Sequence, residues 1–212
     1  MKKIMHVFYS ISLAISVTNL NTKSKKCNRV RIIGGVWRSR LIEFPDGEGL
    51  RPTSDRIRET LFNWLGQSLH GKYCLDLFSG SGALGLEAAS RGAAHVTLVE
   101  SARQTIDALK FNLEQLEART CQLIHSDALS FLARDNKAYD VVFVDPPFAS
   151  NFLEPALCAL RTKISPAGLA YVEWGSAIDT LPEVLSHWCV VKQGRAGQVH
   201  FALLSRSLHS TG

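Results

Sequence analysis

The chain has 212 residues, of which 46% are hydrophobic and 20% charged, and its formal net charge is +5. That length suits one α/β domain with a sizeable core, and five cysteines (27, 74, 121, 158, 189) without a C-x-x-C pair exclude a disulfide framework or zinc ribbon and fit a reducing compartment. Residues 1–66 carry twelve Lys/Arg against five Asp/Glu, the remainder twelve against fourteen, so the basic front third either meets a polyanion or is a solvated surface.

Met1 to Val17 sets Lys2 and Lys3 before a mostly apolar run, imitating a secretory signal. The run is short for a membrane span, His6, Ser10, Ser12 and Ser16 interrupt it, and no A-x-A site follows. Residues 1–28 therefore read as an extension outside the fold, more an over-extended start than a targeting segment. A cytoplasmic protein without a membrane anchor is expected.

Asn28 to Phe44 alternates as a hairpin, Arg29 to Val36 then Arg40 to Phe44, with Gly34-Gly35 as a bulge or bend. Arg29, Arg31, Arg38 and Arg40 crowd it around Trp37. That pattern suits a nucleic-acid arm, and equally a plain hairpin packed by Trp37. Thr53 or Ser54 then caps a helix with Asp55 and Glu59 in its early turns, its buried face marked by Ile57, Leu61 and Leu65. Arg51, Arg56 and Arg58 cannot all share that face.

From Tyr73 strands and helices alternate. Tyr73 to Asp76 has the apolar pattern of a buried parallel strand ending in an acid. Gly80, Gly82 and Gly85 follow at G-x-G-x-x-G spacing and open a helix over Ala83 to Ser90, the order that builds a nucleotide crevice. His95 to Glu100 is a second strand, its acid twenty residues past Gly80, where it suits a ribose diol. A helix over Ala102 to Ala118 leads to a strand at Gln122 to His125. Asp127 beyond it either accepts from an adenine amine or caps the helix of Ala128 to Arg134. Tyr139 to Val144 runs into Asp145-Pro146-Pro147-Phe148. Phe152 to Lys163 reads as a helix, Gly168 to Trp174 as a strand, and Leu181 to Leu185 as part of a helix. Trp188 to Gln193 and Gln198 to Leu204 form a closing hairpin. The order indicates an open, mostly parallel α/β sheet. His125, His187 and His200 lack metal-ligand company.

The glycine strand and the D-P-P-F strand end together resemble S-adenosylmethionine-dependent methyltransferases acting on exocyclic amines. The flanks Arg31 to Gly35, Leu50 to Thr53, Arg58 to Leu65 and Ala196 to Val199 resemble the RsmD family, the 16S ribosomal RNA guanine-N2 methyltransferases, over roughly Arg29 to Leu204. The resemblance implies a Rossmann-like class I fold with a seven-stranded sheet, a C-terminal antiparallel hairpin, a basic hairpin arm over 29–50 and a methyltransferase domain over 51–212. It implies S-adenosyl-L-methionine held by Asp76, Phe78, Gly80, Ser81, Gly82, Glu100, Asp127 and Ala128. It also implies RNA contacts from Arg31, Arg38, Arg40, Arg51 and Arg56, no metal, and a monomer acting on 16S rRNA or the assembling small subunit.

An exocyclic amine is a poor nucleophile because its lone pair delocalises into the ring. Two acceptors gripping its hydrogens, the Asp145 carboxylate and a carbonyl at Pro146, would turn that lone pair outward. Pro146 and Pro147 hold the turn rigid, and Phe148 would stack on a flipped base. A nicotinamide oxidoreductase would share the glycine turn and Glu100 but leave D-P-P-F without a task. An adenine-N6 DNA methyltransferase would share the chemistry with little room for a recognition domain, and a non-catalytic RNA-binding scaffold is the third alternative.

Overall fold

The computed structural model describes residues 27–46, 52–147, 150–175 and 187–207. Met1 to Val17, Arg51, Phe148 and the stretch Leu181 to Leu185 lie outside these ranges. Strands β1 (Cys27–Arg31) and β2 (Leu41–Pro45) pair antiparallel as a small separate sheet. Helix α1 (Asp55–Trp64) follows, and Ser54 is its cap, accepting from the Ile57 N–H. Thr53 is left free for another task.

The main sheet is built from β3 (Tyr73–Asp76), β4 (His95–Glu100), β5 (Cys121–His125), β6 (Tyr139–Val144), β7 (Ile164–Trp174), β8 (Trp188–Ala196) and β9 (Val199–Arg206). Helices α2 (Ala83–Ser90), α3 (Arg103–Gln115), α4 (Ala128–Arg134) and α5 (Leu153–Leu160) connect its parallel strands. The order is β5-β4-β3-β6-β7-β9-β8, parallel from β5 to β7 and antiparallel through β9 and β8. This is the expected α/β sheet of seven strands with its closing hairpin.

Burial on both faces explains the near-continuous apolar strands. Cys74, Val141, Phe143 and Tyr171 face one core, which also holds residues of α1 and α2. Leu75, Val142, Val144 and Val172 face the other, under α4 and α5.

The first strand is shorter than the expected Arg29 to Val36, because at Ile32 the chain leaves the ladder to lie on α2. Every residue of α2 is buried, so this helix has no solvent face. The arm supplies its cover: Ile32, Ile42 and Phe44 share a core with Leu84 and Leu86. Backbone polar groups are matched as closely. The Ile33 and Gly34 N–H groups donate to the Glu87 carboxylate at 2.7 and 2.8 Å, and the Trp37 N–H donates to Ser90 Oγ at 2.9 Å. Gly35 (φ +76°) is the bend; a Cβ there would stand 1.9 Å from the Ser90 carbonyl oxygen.

Arg58 is the hub of this junction and is fully buried. Its guanidinium donates to Asp55 at 2.7 Å, the Arg31 carbonyl at 2.8 Å, the Thr53 carbonyl at 3.2 Å and Glu87 at 3.4 Å. Arg91 reaches the other Glu87 oxygen at 2.8 Å and stacks over Phe62, 4.7 Å from the ring centre. One buried carboxylate thus balances two guanidinium groups and two backbone donors.

Candidate active site

The sheet order reverses direction between β3 and β6, whose register sets Asp76 beside Phe143. In an open α/β sheet, ligands bind beyond the carboxyl ends of the strands at such a reversal. Asp76 ends β3 there, and Asp145 follows the last residue of β6 directly. Pairing of Phe143 with Tyr171 and of Val144 with Val172 carries Asp145 alongside Glu173 of β7. Because side chains alternate, Asp76, Asp145 and Glu173 all share the sheet face covered by α1 and α2. Three acids on three neighbouring strand ends form the floor of the site.

Each acid is held differently. Asp76 is buried under the glycine turn and accepts from the Gly85 N–H at 2.9 Å; a Cβ on Gly85 would meet that same oxygen at 2.9 Å and Leu98 at 2.2 Å. Burial, opposed by that hydrogen bond and assisted by nearby Glu100, pushes its carboxyl up to about 7. Glu100, closing β4, accepts from the N–H groups of Gly80, Ser101 and Ala102 at 2.9, 2.8 and 2.7 Å. Asp127 caps α4 by accepting from the Ser130 N–H at 3.0 Å, and Ala128 starts that helix in a buried position. Ser81 is buried with its hydroxyl 3.3 Å from the Ala83 N–H, and Phe78 packs 6.0 Å from Phe152 across the mouth.

Asp145 accepts from the Thr53 hydroxyl at 3.1 Å. Burial first, then the neighbouring Glu173 and Asp76, raise its carboxyl well above the ordinary range, with the Thr53 hydrogen bond pulling the other way. Glu173 is buried and raised for the same first reason, while the Tyr171 hydroxyl donates to it at 2.7 Å. Pro146 is buried and Pro147 exposed. The Pro147 carbonyl accepts from the Ser150 N–H at 2.8 Å and its hydroxyl at 2.6 Å, whereas the Pro146 carbonyl has no donor among the described residues. That carbonyl stays available beside Asp145.

The arm lies over the same sheet face as the three acids. Arg31 is exposed, 3.6 Å from Asp55, and Arg40 donates to the Gln115 carbonyl at 2.7 Å. Arg38 and Arg56 are exposed and make no ion pair among the described residues.

The model of a family described as conserved hypothetical protein 95 matches residues 30–205. The chain belongs to this family. Ribosomal RNA small subunit methyltransferase D of Escherichia coli K12 is 45% identical over 180 residues, covering 84% of this chain and 90% of that protein. The protein of the same name from Haemophilus influenzae is 41% identical over 181 residues, covering 82% and 92%. A solved structure from Escherichia coli, yhhF, is 44% identical with TM-score 0.75, covering 84% of this chain and 98% of that one. The fold is that of class I methyltransferases, and the methyl donor is S-adenosylmethionine.

The residues present fit that donor. In a dinucleotide site the N–H groups of the glycine turn face a pyrophosphate. Here the Gly80 and Gly85 N–H groups are already given to Glu100 and Asp76, so protein carboxylates stand where a phosphate would have to bind. A site floored by Asp76, Asp145 and Glu173, each of which burial makes reluctant to ionise, favours a cation. S-adenosylmethionine, when bound, brings a sulfonium and an ammonium, with ribose hydroxyls and an adenine amine as donors. It supplies an electrophilic methyl group.

Proposed function

We propose that this chain methylates the exocyclic N2 amine of a guanine in 16S rRNA, acting as a cytoplasmic monomer on the naked RNA or the assembling small subunit. The observation that carries an amine as acceptor is Asp145 beside the undonated Pro146 carbonyl at the reversal of the sheet. The names of the relatives support ribosomal RNA, and the RsmD resemblance supports guanine N2. Asp145 and the Pro146 carbonyl each take one amine hydrogen, which turns the nitrogen lone pair away from the ring. As the nitrogen bonds to the methyl carbon, that carbon's bond to the sulfonium sulfur would break with its electron pair left on sulfur as a neutral thioether. The nitrogen, then cationic, would shed one proton, and Asp145 is the acceptor in place. Phe148, two residues after Pro146 in the sequence, provides the stacking surface in this reading. Catalysis is then mostly positioning. The deciding experiment incubates 16S rRNA with tritium-labelled cofactor and maps the labelled base. Label on guanine N2 supports the reading; label on adenine or nowhere overturns it.

The cofactor is held in this reading by Asp76, Phe78, Gly80 to Gly82, Glu100, Asp127 and Ala128. Three backbone donors leave Glu100 room for one further hydrogen bond, from the ribose. Glu100→Ala weakens cofactor binding by about 1.5–3 kcal/mol, the worth of a hydrogen bond to a charged acceptor. Calorimetry would read it, and unchanged affinity would take Glu100 out of the site.

Arg31, Arg38, Arg40, Arg51 and Arg56 serve the RNA as phosphate contacts. Replacing Arg38 and Arg40 together weakens binding across all sequences and lowers the salt slope by about one unit per lost contact. An unaltered slope in a salt titration would make the arm a structural cover only.

A further inference from the structure

Glu173 and Thr53 are not accounted for by any of this. Glu173 is a buried acid whose strand neighbour across β9 is Phe201, and no cation pairs with it among the described residues. The donor that reaches it is the Tyr171 hydroxyl on its own strand, at 2.7 Å. The charged groups packed around it are Asp145 on β6 and, beyond that, Asp76 on β3. From α1, Arg58 is committed to Asp55, Glu87 and two carbonyls. A strand that served packing alone would carry an apolar side chain here, since burying an acid without a base disfavours the folded state.

Thr53 supplies the link. Its one hydroxyl proton goes to Asp145 Oδ2 at 3.1 Å, and Asp145 in turn lies alongside Glu173 on the neighbouring strand. The backbone that carries the hydroxyl is held, because the Thr53 carbonyl accepts from the buried Arg58. With one donor on Oδ2 from the protein side, Oδ1, which accepts from no group among the described residues, is the freer oxygen for a ligand.

We propose that Thr53 and Glu173 are the positioning residues of the reaction, Thr53 selecting the Asp145 oxygen that grips the target amine and Glu173 making that carboxylate a competent acceptor of the proton the amine gives up. The inference rests on the reading of Asp145 given above. Two acids so close do not ionise independently; they titrate as a pair, and the second ionisation is driven to higher pH. Removing the acid of Glu173 lets Asp145 ionise at lower pH. The rate, which needs ionised Asp145, then reaches its plateau at lower pH.

The test uses single-turnover methylation of 16S rRNA by the full chain, with cofactor and RNA saturating, for Thr53→Val, Thr53→Ser and Glu173→Gln. Thr53→Val, of equal shape without the hydroxyl, slows methyl transfer about tenfold to a hundredfold with cofactor affinity unchanged. Thr53→Ser restores most of the rate. Glu173→Gln moves the acid limb of the pH–rate profile to lower pH while leaving the melting temperature near that of the parent. A wild-type rate in Thr53→Val, a Ser variant no faster than Val, or an unmoved acid limb in Glu173→Gln would each overturn the assignment. Asp145→Ala, run in parallel, separates the two levels. If it is inactive while Thr53→Val and Glu173→Gln match the parent, only the positioning role falls; if it is fully active, the reading of the site falls with it.

Discussion

Asp145→Ala loses methyl transfer by about a hundredfold to a thousandfold, the usual effect of removing one preorganised hydrogen-bonding group from a dry site. The fold survives, because the side chain ends a strand and its hydrogen bond is to Thr53 alone among the described residues. Cofactor affinity changes little, since in the proposed reading the acid faces the incoming base. Asp145→Asn is the sharper variant: it keeps the shape and one acceptor oxygen but neither the charge nor the capacity to take a proton. Its rate lies between those of the parent and Ala. Single-turnover rates with saturating RNA and cofactor measure this directly. A parental rate in Asp145→Ala would end the amine-orienting mechanism.

The largest effect on stability belongs to Glu87, at the junction of α1, α2 and the arm. Glu87→Ala costs about 3–5 kcal/mol, because it leaves the buried guanidinium groups of Arg58 and Arg91 without their shared counter-charge. The Ile33 and Gly34 N–H groups lose their acceptor in the same step. Urea unfolding followed by circular dichroism gives the number, and a loss below about 1 kcal/mol would mean that water reaches the junction. Glu87→Gln separates charge from hydrogen bonding: it keeps an acceptor for one backbone donor and falls between the two.

Much of the site was legible because its signals are local. The strand ending at Asp76, the glycine turn and the acid at Glu100 follow one another within a single βαβ unit. Asp145 announces itself by the prolines behind it. Thr53, Tyr171 and Glu173 were not legible, since they meet Asp145 only through the strand order and the packing of α1. Even so, a hint stood in the sequence. Glu173 is an acid set between apolar and aromatic residues in a strand that ought to be buried. Glu87 is the same signal in helical form, one acid in a stretch of alanine, leucine and glycine with no polar face to place it on. Arg58 was expected among residues of which some project outward; Arg56 does, while Arg58 is the fully buried one. The first strand was read too long for a related reason. Alternation continues past Arg31, but the demand of α2 for a cover overrides it.

That cover has a consequence for anyone hoping to retarget this enzyme. An arm that merely sits on a finished domain can be exchanged like a cassette. This one cannot, for without Ile32, Ile42 and Phe44 the helix behind the glycine turn would open to water along an apolar flank, and Glu87 would lose part of its coordination. Changes to the arm have to be written on its outward side chains, Val36, Arg38 and Leu41 among them, with its inward half left untouched.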